Sequence, residues 1–149
     1  MTKVHEQTDQ AILWHQCFTN FKPVFLLLRE AIEQDPAELS QLEKEGIIQR
    51  FEYTFKLAWQ VLKEKVENEG LLLDQVSAKA LIRLAHAAKY INDLDAWLNM
   101  LDERELMSDT YDFVKFDTLI QAIRDHYLPL LDDWYQALLM EIHVPDFES

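Results

Sequence analysis

Three observations predict an all-α fold, an antiparallel up-and-down bundle of about five helices with a four-helix core. Only two glycines and four prolines occur in 149 residues, and the commonest residues are good helix formers, a balance that suits helices rather than a sheet with its many tight turns. Apolar residues recur every three or four positions over long stretches. The connections between those stretches are brief, which makes consecutive helices antiparallel neighbours. A hydrophobic content of 49%, with 11% aromatics, is enough to give residues 1–149 one buried core.

Trp14, Phe18, Phe21, Phe25, Leu28 and Ile32 fall alternately four and three apart, on one face of a first helix spanning about residues 8–34. Pro23 lies off that seam, so a kink is expected there, with the lost hydrogen bond on the solvent side. Asp35-Pro36 punctuates the chain. Ile48, Phe51, Phe55, Ala58, Leu62 and Val66 then mark a second helix over about 38–69, with Gly70 as its C′ residue. Ser77 can cap a third helix carrying Leu81, Ala85 and Ala88. Asn92 or Asp93 can cap a fourth carrying Trp97, Met100 and Leu101. Phe116, Ile120, Ile123, Tyr127, Leu130, Trp134 and Leu138 form a last stripe, interrupted by Pro129 and running to about residue 142. Seams this long and this aromatic also suggest a homodimer.

Against 14 Lys and Arg stand 27 Asp and Glu, a net charge of −13, so binding to long nucleic acid is not expected. After Arg124 only acidic charges remain, a solvated face or a docking surface for a basic partner. The single cysteine, Cys17, rules out an internal disulfide and is expected to be a buried, inert thiol in a reduced compartment. There is no secretory pattern, and apolar runs such as VFLLL are too short to span a bilayer. A soluble, cytoplasmic protein without membrane contact is expected. The five histidines have no partner at metal-ligand spacing, and no HExxH, Cys pair, glycine-rich phosphate loop or GxSxG occurs. No metal and no cofactor is predicted.

Two stretches concentrate polar chemistry. In RFEYTFKLAW (50–59), Glu52 and Lys56 are an i,i+4 pair, and Arg50, Tyr53 and Leu57 share a side distinct from the Phe51/Phe55 stripe. That side is either a solvated flank or a polar groove with aromatic walls. In ERELMSDTYD (103–112), Arg104 occupies the next apolar position after Trp97 and Leu101. It either snorkels or points into a cleft, where its fork suits phosphate or carboxylate. An ion pair to Asp109 and a half-buried Tyr111 are the structural alternatives.

RFEYTFKLAW, SAKALIRLAHAA (77–88) and WLNMLDERELMSDTYD (97–112) resemble the nucleotidyltransferase substrate-binding proteins, a branch of the HEPN helical bundles. The likeness is clear from about Gly46 to Asp112. It implies a non-catalytic subunit that dimerises, pairs with a separate minimal nucleotidyltransferase and helps to form its substrate pocket. It makes Arg50, Tyr53, Lys79, Arg83, Arg104 and Tyr111 candidates for holding a nucleotide or another anionic substrate. HEPN ribonucleases carry Arg, a polar residue, three further residues and His, often with Tyr two positions on. Arg104, Glu105 and Tyr111 match this pattern, but Asp109 stands at the His position. An ordinary Asp, with a pKa of about 4, stays ionised where His would trade a proton. The alternative implied by the resemblance is thus a ribonuclease toxin with a degenerate motif, paired with a nucleotidyltransferase antitoxin. In such pairs the partner adenylylates the motif's Tyr, which makes Tyr111 a modification candidate.

Overall fold

The computed structural model describes the backbone of residues 2–68, 70, 77–107 and 113–148, and the side chains of 13–68, 70, 77–105 and 115–142. Helices α1 (Thr2–Ile32), α2 (Gln41–Asn68), α3 (Ala78–Ala87) and α4 (Leu94–Met107) are followed by α5 (Phe113–Ala122). The last of these runs through a π-helical segment, Ile123–Tyr127, into α6 (Leu128–Glu148). Five helical rods result, with no strand among the described residues, so the chain is the all-α bundle that the periodicity predicts.

All six residues of the first seam are buried, and Pro23 lies within α1 on its exposed flank. The helix starts earlier than residue 8 and ends at Ile32 rather than 34. Its last carbonyls, orphaned at a helix C-terminus, are met from across the bundle. The Arg124 guanidinium donates from Nε to the Ile32 carbonyl at 3.2 Å and from Nη2 to the Ile32 and Gln34 carbonyls.

Residues Pro36–Glu38 form a separate 3-10 turn whose cap, Asp35, accepts the Ala37 N–H. The second long helix therefore begins at Gln41 rather than 38. A reciprocal capping box sets that start: Ser40 Oγ accepts the Glu43 N–H at 3.1 Å, and Glu43 Oε1 accepts the Ser40 N–H at 2.9 Å. These bonds hold the Glu43 carboxyl below its ordinary pKa. At the far end Gly70 has φ +84°, the left-handed conformation of a C′ glycine.

Ser77 caps α3 by accepting the Ala80 N–H, and Asp93 caps α4 by accepting the Ala96 N–H. Between them Lys89 has φ +68°, while its N–H reaches the His86 carbonyl and the Tyr90 N–H reaches Ala85. This is a Schellman turn with lysine at the position that glycine usually fills.

The last rod carries one correction to the predicted stripe. Pro129 has no N–H for the Asp125 carbonyl and its ring crowds that carbonyl. The helix widens just before it, with the Leu128 N–H bonded to Ile123. The extra residue shifts the face: Leu131, rather than Leu130, is fully buried, and Trp134, Tyr135 and Leu138 follow it into the core.

Side-chain pairs give the topology. Lys65 meets Trp14 and Arg50 meets the Leu27 carbonyl, so α2 runs antiparallel to α1. Phe51 stacks on Tyr127 and Lys65 pairs with Glu141, so the last rod runs alongside α2 in the same direction. Trp97 meets Trp134 edge-on, while Glu103 receives a hydrogen bond from Tyr127, which sets α4 antiparallel to that rod. The centre is aromatic: Phe21 packs against Phe25, Trp134 and Tyr135. The α1 seam is therefore covered within one chain.

Lys65 is only 3% exposed. Its ammonium lies 4.7 Å from the Trp14 ring centroid and 4.2 Å from that of Tyr90, and it bonds both carboxylate oxygens of Glu141 at 2.8 and 2.9 Å.

Replacing Lys89 by glycine relieves a left-handed lysine, a conformation that costs about 1–2 kcal/mol, offset by the greater freedom of unfolded glycine. Lys89→Gly is expected to raise the urea midpoint, a net gain of about 0.5–1 kcal/mol, whereas Lys89→Ala should bring no comparable gain.

Candidate functional site

The phase of α4 places Trp97, Met100 and Leu101 in the core and brings Arg104, one turn further on, to its edge, half-buried. Its guanidinium carbon lies 5.6 Å from the centroid of the Phe55 ring. Among the described residues no carboxylate pairs with it. It opens instead onto a pocket of about 230 Å³, lined by Phe55, Lys56, Trp59, Ala78, Leu101 and Arg104. Helix α2 supplies one wall because Phe55 and Trp59 are four apart and so lie one above the other. Ala78, the first residue of α3, adds a small apolar side chain.

Charge and hydrogen bonding in this pocket are uneven. Lys56 is exposed at its edge. Lys63 lies 5.9 Å from the Trp59 ring centroid. The Trp59 indole nitrogen is buried with no hydrogen-bond partner among the described residues. Glu52 is within the field of Arg104, yet burial outweighs that attraction and pushes its pKa above the ordinary carboxylate value. On the adjoining face of α4, Glu103 accepts the Tyr127 hydroxyl; burial first, and then this acceptor and its charge, push the Tyr127 pKa far up. One Glu103 oxygen remains buried without a partner among the described residues.

The other candidate residues distribute as follows. Lys79 pairs with Asp102 at 3.3 Å, linking α3 to α4 beside the pocket. Arg83, one turn further along α3, is exposed. Arg50 lines a different pocket of about 240 Å³, with Ala31, Gln34, Leu39, Glu43, Gly46 and Ile47. Tyr53 is 52% exposed and Leu57 is buried, so the side they share with Arg50 is no continuous groove. Asp109 and Tyr111 lie outside the described residues.

Lys56 and Trp59 are the residues that sequence reasoning did not place in a site. The available signal is the Phe55/Trp59 spacing of four with a lysine between them, legible only once α4 is known to lie over that face. Elsewhere, Cys17 is half-buried, and burial followed by the charge of Glu64 raises its pKa, so the thiol stays protonated. Among the described residues no three His, Cys, Asp or Glu side chains gather as metal ligands, and no described helix is long and apolar enough to cross a membrane.

Residues 16–140 match the family described as nucleotidyltransferase substrate binding protein like. A curated relative, described as a probable ribonuclease HepT from Haemophilus influenzae, is 26% identical over 100 residues, covering 65% of this chain and 68% of the relative.

The raised Glu52 pKa makes a signed prediction. A carboxyl favoured in its protonated form by the fold stabilises it fully below the unfolded pKa of about 4.3, and that contribution is lost as pH rises through the higher folded value. Glu52→Gln, neutral and of the same shape, is therefore expected to be more stable than the parent in urea at pH 7. The difference should vanish toward pH 4.

Proposed function

Because the chain belongs to the nucleotidyltransferase substrate binding protein like family, we propose that it is the non-catalytic, substrate-binding subunit of a two-component nucleotidyltransferase. In this reading it docks on a separate minimal nucleotidyltransferase, functions as a homodimer, and presents a nucleotide or other small anionic substrate to its partner's active site. The observation that carries it is the pocket under Arg104, where two cations, Lys56 and Arg104, flank an aromatic and aliphatic lining. Such a lining binds and orients. Among the described lining residues there is neither a nucleophile with its base nor a metal set. The net charge of −13 favours a small anion held at a local cationic spot over a long nucleic acid.

A second reading is favoured by the likeness to the probable ribonuclease HepT: a HEPN-type ribonuclease acting through Arg104, with Asp109 in place of the proton-carrying histidine and Tyr111 as the residue that its partner modifies. The two readings assign different jobs to Arg104. A binder needs its charge and fork, whereas a nuclease also needs a group that exchanges protons near neutrality.

Co-expression with a minimal nucleotidyltransferase from the same genome is expected to yield a complex that survives size-exclusion chromatography, and failure to associate would remove the first reading. In parallel, incubation with single-stranded RNA is expected to leave the substrate intact. Cleavage that is lost on Arg104→Ala and enhanced on Asp109→His would establish the second.

A further inference from the structure

We propose that the Arg104 pocket takes a single-ring aromatic anion, with the ring seated on the apolar wall and a carboxylate or phosphate held by Arg104 and Lys56. This deepens the substrate-binding reading and rests on it. Three features set the ligand class. A volume of about 230 Å³ lies below the roughly 300–1,000 Å³ that encloses a drug-sized ligand, so one ring and its substituent suit the pocket better than a whole nucleotide. The lining is mixed: Phe55, Trp59, Ala78 and Leu101 present carbon, and the two polar members, Lys56 and Arg104, are both cationic.

The third feature is what the cations already touch. The Arg104 guanidinium carbon lies 5.6 Å from the Phe55 ring centroid, and a guanidinium held at a pocket edge recognises carboxylate or phosphate bidentately through its fork. No carboxylate among the described residues occupies it, nor does one pair with Lys56. The nearby acid is Glu52, whose raised pKa shows that Arg104 compensates its burial only in part.

Ring and anion make separate demands. An aliphatic anion of the same charge loses the flat contact with Trp59, and inorganic phosphate loses the apolar wall altogether. Glu52 opposes any anion at Arg104, so removing its charge should strengthen binding. A purely structural role for Arg104 would not produce that effect.

Isothermal titration of the purified full chain with phenyl phosphate is the test, with cyclohexyl phosphate, inorganic phosphate and a nucleoside monophosphate as comparators. Phenyl phosphate is expected to bind, and each comparator to bind roughly tenfold more weakly or worse. Arg104→Ala should lower its affinity by roughly tenfold or more, and Glu52→Gln should raise it several-fold. Circular dichroism confirms that both variants are folded. Equal affinity for phenyl and inorganic phosphate, unchanged binding in Arg104→Ala, or no binding by the folded parent would overturn the proposal. Complex formation with the nucleotidyltransferase is scored separately. A stable complex without phenyl phosphate binding rejects this inference alone, and binding without a complex rejects the subunit reading alone.

Discussion

The bundle depends on the aromatic contact between α1 and α6, where Phe18, Phe21 and Phe25 meet Trp134 and Tyr135 with ring centroids 5.1–6.4 Å apart. These two helices are far apart in sequence, and the middle of the chain is enclosed between them. Trp134 in turn touches Trp97 edge-on, so the same aromatic layer seats α4. Rings in edge and offset arrangements specify geometry as well as burial. They thereby fix the rotation of α4 about its own axis, and with it the direction in which Arg104 leaves the core. The candidate site is downstream of a packing decision made about two turns away.

Around that layer, charge is used sparingly and mostly at helix ends. Arg124 satisfies the end of α1, Lys44 reaches Asp117 at 2.7 Å, and Arg29 reaches Asp132 at 3.1 Å. Exposed pairs of this kind contribute little individually. Lys65 is different in kind, since a buried ammonium needs the Glu141 carboxylate and two aromatic faces to offset lost hydration. It ties α2 to α1, to α6 and to the turn before α4 at one point. In a chain so acidic overall, this buried cation holds one of the acidic side chains of the last helix, Glu141, against the bundle.

Periodicity made the rods legible, because a seam such as Trp14 to Ile32 has only one explanation in a helix. Ends were less so: SQLE from Ser40 to Glu43 is a capping box in plain view, yet Pro36 four residues earlier suggested an earlier start. Leu130 was misplaced because a period of 3.6 assumes an unbroken register, and the consequence of Pro129 for the preceding turn depends on how the core accepts an extra residue. For the site, the phase of α4 singled out Arg104 as a residue out of keeping with its stripe, and it lies half-buried beside Phe55. Which side chains face it is a property of helix crossing, so Lys56 and Trp59 could not be read from α2 alone. The burial of Lys65 was likewise invisible, since a lysine flanking an apolar seam ordinarily snorkels to water.

The π-helical segment Ile123–Tyr127 has a consequence for how the last rod tolerates change. One surplus residue advances the helix by about 100°, so the two halves of the rod are cut to different phases, each matched to its own neighbours: Phe116 and Ile120 on one side, Trp134 and Tyr135 on the other. The segment works as a spacer whose value lies in its length. Substitutions there alter a turn, but loss of a single residue would remove the surplus and rotate the aromatic layer away from α1. Insertions and deletions at this point, unlike those in a surface loop, are therefore read out across the whole bundle.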